Sequence, residues 1–268
     1  MIGLRVLILV SLSLHPVFAV EPAWKKDISP PEFGSHPRIK SSVLDLKVSW
    51  NGMVDSGKLQ VKFDQKDAGK PNAYVVTSSA TSLGLASGIF PYSSNFWSEL
   101  DPVSLQPRLF NAVETDSEET TTTTVRYSPN RVACKETTQP LPKGSSKTID
   151  RTFEFAPVFD IFSAMLYIRS QKLDAGDEVN LVVQPFKNPY LIKVKVQSRE
   201  LHLDRKAIRL TVGMRKINGK TLELLPYKKM KKEATLWLSD DDDRIPIEFR
   251  AAVFIGDVRA TLTNFQKT

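Results

Sequence analysis

The chain has 268 residues, with 37 Lys and Arg against 30 Asp and Glu, three histidines and one cysteine. A single cysteine excludes an internal disulfide framework, so stability must come from an apolar core, which this length is sufficient to bury. The net charge of +7 is moderate. With no recognition motif or interleaved aromatics it points away from nucleic acid and leaves anionic lipid headgroups or envelope polymers as candidate polyanions.

Arg5, the apolar run Val6 to Leu14 and the small-residue end Val17-Phe18-Ala19 form a secretory signal peptide over residues 1–19. That run is shorter than the roughly 20 residues a membrane span requires, and no later stretch reaches that length. The mature chain, beginning near Val20, is therefore expected to be periplasmic and to carry no transmembrane segment. Cys134 lies too far from the cleavage site to mark a lipoprotein. Pro22, Pro30, Pro31 and Pro37 punctuate a polar lead over 20–42, expected to wrap the surface or stay disordered. One β-rich domain is expected over 43–268.

Leu44, Leu46, Val48 and Trp50 alternate with polar residues, and Leu59, Val61 and Phe63 do so again after the Asn51-Gly52 turn, which predicts a hairpin. Residues 73–77 continue the sheet. Ser82 to Trp97 mixes Leu83, Leu85, Ile89, Phe90, Tyr92, Phe96 and Trp97 with Gly84, Ala86 and Gly88. It reads as a short helix or a flexible apolar segment, laid over an open sheet face either as core or as a lid on a ligand. The threonine run 120–124 leads into Val125 and suits a strand. Cys134 falls in an alternating stretch, as a buried thiol does.

The period then changes. Val158, Phe159, Ile161, Phe162, Met165, Leu166 and Ile168 recur at helical spacing behind Pro157, predicting one amphipathic helix from Pro157 to Gln171 with a wide apolar face. Strand alternation resumes at 179–184, 190–198, 207–215 and 221–224. It continues through 234–239, an acidic turn at Asp240 to Asp243, 245–249 and, after Gly256, a strand to Leu262. About a dozen strands against one clear helix, with no βαβ rhythm, give an all-β fold. The simplest form is a single antiparallel β-barrel or half-barrel with one packed amphipathic helix.

Chemistry-bearing patterns are few. Four consecutive aspartates lack the glycine and ligand spacing of a calcium loop and read as a solvated hairpin turn that discourages edge pairing. His202 shares a strand face with Glu200 and Asp204 if the strand is regular, an arrangement open to base or metal chemistry but common on exposed faces. His36 lies in the lead. Nucleophile-elbow, phosphate-loop, zincin and dinucleotide patterns are missing, so no catalytic residue, metal or cofactor is assigned. Lys228 to Lys232 reads as a solvated loop or strand end. Arg169, following Tyr167 near the helix end, suits either the helix C-terminus or an anionic headgroup at a cavity mouth. Trp50, Phe90, Tyr92, Trp97, Tyr167, Arg169 and Trp237 are the candidate pocket residues, the aromatic ones being equally compatible with ordinary core packing.

Taken as ordered landmarks, several segments resemble the domain-of-unknown-function 3108 family. These are the opening strand and turn from Val43 to Gly57, then Asp160-Ile-Phe-Ser163-Ala-Met-Leu166-Tyr167-Ile168-Arg169, Gly176, and the closing Trp237 to Leu262. Ile161 stands where proline is frequent in that pattern, and the acidic turn carries four aspartates in a row. The resemblance implies an exported, β-rich envelope protein, similar in architecture to periplasmic half-barrels that handle lipid or lipoprotein, and it brings no catalytic group. The expected function is non-enzymatic binding or carriage of an apolar or lipid-like envelope ligand. The alternatives are a structural or interaction protein of the envelope, and an envelope-glycan hydrolase or lyase built on Glu200, His202 and Asp204.

Overall fold

The computed structural model describes residues 21–32, 34, 40–64, 73–142, 144–228, 230–253 and 256–268. The expected signal peptide over 1–19 and His36 lie outside these residues.

Among the described residues the chain forms fifteen strands. They are β1 (Ser42–Trp50), β2 (Val54–Asp64), β3 (Tyr74–Ser82), β4 (Ser93–Leu100), β5 (Pro107–Thr115), β6 (Glu119–Ser128), β7 (Arg131–Pro140), β8 (Lys147–Phe153), β9 (Glu178–Val183), β10 (Tyr190–His202), β11 (Arg205–Ile217), β12 (Leu224–Pro226), β13 (Ala234–Ser239), β14 (Pro246–Val253) and β15 (Gly256–Lys267). Helix α1 spans Gly84–Ile89 and α2 spans Ile161–Ser170, and a 3-10 turn covers Ala23–Asp27. The threonine run is strand β6, with Thr123 turned inward and Val125 in the core.

All strands join one antiparallel sheet in the order β8-β7-β6-β5-β4-β3-β2-β1-β15-β14-β13-β11-β10-β9, with β12 attached to β11. The first and last strands, β1 and β15, pair with each other in the middle of the sheet, in a long ladder from Ser42↔Lys267 to Trp50↔Val258. β8 and β9 do not pair with each other, so the sheet curls into an open half-barrel. The chain itself spans the opening. Phe159 makes a parallel bridge to Val183, donating its N–H to the Val182 carbonyl at 2.8 Å and accepting from the Gln184 N–H at 2.8 Å. The Tyr127 hydroxyl donates to the Gln184 carbonyl at 2.6 Å, and Lys187 Nζ lies 3.3 Å from Glu136.

Helix α2 occupies the concavity. Phe162 packs against Phe96 and Phe110 with ring centroids 6.5 and 6.2 Å apart, and Tyr167 against Phe159 at 5.2 Å. The helix begins at Ile161, not at Pro157, because Phe159 is committed to the bridge with β9 and Asp160 supplies the cap. Asp160 Oδ1 accepts from the Phe162 and Ser163 N–H groups at 2.8 and 2.7 Å, while Ser163 Oγ accepts from the Asp160 N–H at 2.8 Å, a reciprocal capping box. Ser98 of β4 donates to the other Asp160 oxygen. Burial pushes the Asp160 carboxyl above the ordinary carboxylate range, against the opposing pull of the Ser98, Ser163 and Phe162 hydrogen bonds.

Two expectations need correcting. The described part of the lead neither merely wraps the surface nor is unstructured. Trp24 enters the core against Phe155 at 5.5 Å and donates to the Leu222 carbonyl, while Ser29 exchanges hydrogen bonds with Asn180 on the outer edge of β9. An otherwise open sheet edge is thereby covered. The segment from Ser82 to Trp97 does form a short helix, α1, and its Phe96 packs on the core, but core packing fails at the tip. Leu85, Ile89 and Phe90 are 81%, 69% and 61% exposed, so α1 adds nothing to the core.

Candidate functional site

A concavity of about 1010 Å³ lies between α2 and the inner face of the sheet. Its floor comes from two sources. α2 has an apolar surface wider than one packing stripe, so that while Phe162 and Leu166 face inward packing, Ile161, Ala164, Met165 and Ile168 line the groove. Opposite them stand Ile192 of β10, Val212 and Met214 of β11, and Phe249 of β14, presented by strand alternation. Phe186 closes one end, its ring edge-on to Phe96 and Phe110 at 5.8 Å each.

The rim is charged. Glu114, Asp116, Glu119 and Glu136 stand among the lining residues from β5 to β7, and Lys187, Lys216 and Lys228 among those from the β9 to β12 region. Tyr92 joins the acidic lip, its hydroxyl donating to Glu114 at 2.7 Å, and burial followed by the neighbouring carboxylates pushes that phenol up to about 12. The arrangement joins an apolar floor to acidic and basic lining groups, a form suited to an amphiphile.

Of the seven sequence-predicted residues, Tyr92 alone lines this groove. Trp50 stands half-exposed at the end of β1, against Gly256, whose positive φ of 141° leaves room for the indole nitrogen where a Cβ would collide. Phe90 is exposed beyond α1. Phe96 and Ser98 point inward, so Trp97 between them lies on the outer face of β4. Tyr167 is buried, with its hydroxyl donating to the Pro30 carbonyl.

Arg169 is also buried. Its Nη2 donates to the Asp243 carbonyl at 2.8 Å, and burial pulls the guanidinium down to about 10, opposed by Asp243 and Asp241. Arg244 returns the tie by donating to the Arg169 and Gln171 carbonyls at the end of α2. The acidic turn is thus a structural clasp as well as a charged surface. Asp241 Oδ1 accepts from the Asp243 and Arg244 N–H groups at 3.0 Å each, Asp243 pairs with Lys267 at 2.7 Å, and Asp240 with Arg199 at 3.2 Å.

Trp237 lies on the outer face with both sides of its ring covered. His202 stacks on one side, centroids 4.1 Å apart and 5° from parallel, and the Arg250 guanidinium sits 5.1 Å from the ring centre. Its Nε1 donates to Glu200 at 2.8 Å. The expected face of Glu200, His202 and Asp204 does not form, because Leu203 and Asp204 take positive φ values of 48° and 58° and turn the chain. His202 Nε2 meets Glu248 at 3.0 Å instead, and Arg250 binds the other Glu248 oxygen through two nitrogens at 2.9 and 2.7 Å. The result is a paired outer-face cluster in which no group is left facing an open cleft. Cys134 is buried in β7, and that burial pushes its thiol up to about 11, away from reactivity.

Sequence reasoning missed the groove residues Met165, Met214, Phe186 and Phe249. The signal for the first lay in the breadth of the α2 apolar face, which exceeds what one packed side consumes.

Among the described residues no helix is long and apolar enough to cross a membrane, and no cluster of His, Cys, Asp and Glu is suited to a metal ion. In architecture the chain is similar to the β-barrel-like protein of domain of unknown function DUF1849 from Brucella abortus. That crystal structure is 9% identical, with a TM-score of 0.52 over 86% of this chain and 99% of the other, a likeness of fold alone. Weaker likenesses, each with a TM-score of 0.32, link it to two other crystal structures. One, from Bacteroides fragilis, is described as that of a candidate exported protein with a YmcC-like fold (8% identity, 88% of this chain and 100% of the other). The second, from Parabacteroides distasonis, is described as that of a candidate lipoprotein (9%, 89% and 100%). No curated protein matches the chain. The profile of DUF3108, described as a protein of unknown function, matches residues 45–263, and the chain belongs to that family.

Proposed function

We propose that the protein is an exported, non-enzymatic carrier or binding protein that holds an apolar or lipid-like ligand of the cell envelope in the groove beside α2. The observation that supports this reading is the groove of about 1010 Å³ with Ile161, Met165, Ile168, Val212 and Met214 on its floor and ionisable side chains among its lining. Its size is at the upper end of the roughly 300–1,000 Å³ of small-molecule sites. Two methionines on facing walls give it adaptable, polarisable surfaces that accommodate chains of varied length. Periplasmic location is part of the proposal and rests on the signal-peptide pattern over residues 1–19.

The test is native mass spectrometry, with solvent extraction, of protein purified from its own envelope, alongside Met165→Arg, which places a charge on the groove floor. The carrier reading expects a lipid-sized adduct on the parent protein and its loss from a folded variant. A ligand-free parent, or an adduct unaffected by Met165→Arg, refutes it.

A further inference from the structure

The antiparallel register places particular turns at one end of the half-barrel. The β1–β2 turn, the α1 segment between β3 and β4, the end of β14 with the start of β15, and the residues leading into β13 all fall there. α1 is fastened to β2 by the Leu83 N–H, which donates to the Ser56 carbonyl at 2.9 Å. On the far side, Met230 bridges to Val253 at the end of β14, and the Lys231 N–H donates to the Ala252 carbonyl at 2.9 Å. β2, β1, β15 and β14 are neighbours in the sheet, so these features share one arc of rim about 15 Å wide at normal strand spacing.

The chemistry of this arc is that of a bilayer-seeking surface. Leu83 to Tyr92 contains no charged residue, and Met53 (81% exposed), Leu85, Ile89 and Phe90 project from the arc with little protein cover. α1 has no side-chain cap at its N-terminus and no buried residue, so the core of this chain does not account for its apolar character. Lys231 and Lys232 stand exposed at the basic end, and neither takes part in an ion pair among the described residues. Of the acids within the arc, Asp55 is matched by Lys47 at 3.2 Å and Asp257 by Arg259 at 3.0 Å, which leaves the exposed Glu233 against Lys231 and Lys232 and a net positive segment. The acidic turn between β5 and β6 lies beyond α1 on its other side, where β3, β4 and β5 follow in order. An apolar tip flanked by unmatched lysines has the charge and polarity that complement an anionic membrane surface.

We infer that this arc docks the protein on an anionic lipid bilayer, with Met53, Leu85, Ile89 and Phe90 entering the acyl boundary and Lys231 and Lys232 meeting lipid phosphates. Tyr92, immediately after the apolar tip, lines the groove, so docking sets the groove mouth beside the membrane. The purpose of docking, transfer of an amphiphile between bilayer and groove, rests on the carrier reading, whereas the docking itself does not.

The position to label is Gly88, where an added Cβ meets nothing within 4 Å. Cys134 is buried, so a solvatochromic thiol probe on Gly88→Cys in the full chain reports on the tip alone and is blind to any other membrane contact. Vesicles of phosphatidylglycerol and phosphatidylcholine should blue-shift the probe, and vesicles of phosphatidylcholine alone should do so much more weakly. Adding Lys231→Ala and Lys232→Ala should weaken the apparent vesicle affinity about thirtyfold, from about fivefold per lysine. Adding Leu85→Asp and Ile89→Asp should abolish the shift while the circular dichroism stays that of the parent. Absence of a blue shift, equal shifts on neutral and anionic vesicles, or a concentration-dependent shift without vesicles, which marks a second copy as the occupant, overturns the inference. The Met165→Arg variant separates the two proposals: docking expects its probe shift to be retained, whereas the carrier reading expects its ligand to be lost.

Discussion

α1 and α2 are both short, apolar and placed between strands, yet α2 is surrounded by the sheet while α1 stands in solvent. The difference does not lie in hydrophobicity. α2 is preceded by a capping box whose aspartate also accepts from Ser98, and its last turn carries an arginine that reaches the β13–β14 turn, so both ends are tied to separate strands. α1 has neither device and spans only six residues between adjacent antiparallel strands. With its two ends fixed by one ladder, it cannot reach the concavity. The comparison teaches that what places an apolar helix inside this half-barrel is the set of polar ties at its ends, and that an apolar helix lacking them is left for another surface.

The sharpest way to break that comparison is to remove the core contact of α2. Phe162→Ala should cost about 3–5 kcal/mol in chemical denaturation, since its ring fills space between Phe96 and Phe110. A cost below about 1 kcal/mol would mean that α2 is held by its ends alone. Next is the cap. Asp160→Ala should cost about 2–3 kcal/mol, combining a lost N-cap with a buried Ser98 hydroxyl left without its acceptor.

Acid should reveal the same carboxyl differently. Burial raises the folded-state pKa of Asp160, so between the unfolded and folded values the native protein binds more protons, and stability from this group is full below the unfolded value and lost as pH rises through the folded one. Parent minus Asp160→Asn stability should therefore become more favourable to the parent on going from about pH 7 to about pH 4.5. The opposite trend would show that the hydrogen bonds to the carboxylate outweigh its desolvation. The smallest effect belongs to α1: Leu85→Ser with Ile89→Ser should shift stability by no more than about 0.5 kcal/mol, because neither side chain is packed. A larger loss would show that α1 contributes to the fold.

Much of the architecture was legible in the chain. Period-two stretches such as Leu44 and Leu46, or Leu236 and Leu238, mark inward faces that the structure keeps, and the single change to helical spacing marks α2. The start of α2 was harder to place. Pro157 suits a first helical position, but only the pairing of Phe159 with β9 shows why the helix waits until Ile161. Trp24 could not be foreseen as core from a proline-rich polar lead, because its partners Phe155 and Leu222 are more than 130 residues away. The aromatic candidates scattered for a related reason. Type and spacing report which residues alternate, while the choice of face at Trp97 and Trp237 depends on the register of neighbouring strands.

By itself the sequence determined the class of fold, the antiparallel strands, the one amphipathic helix of the core and the family, because local periodicity reports burial wherever one face of an element is buried. Only the tertiary structure decided that the sheet remains open, that α2 fills its hollow while leaving one apolar face to a groove, and that the apolar tip and the lysine segment meet on one arc. Those outcomes depend on contacts between residues distant in the chain, which no local pattern encodes.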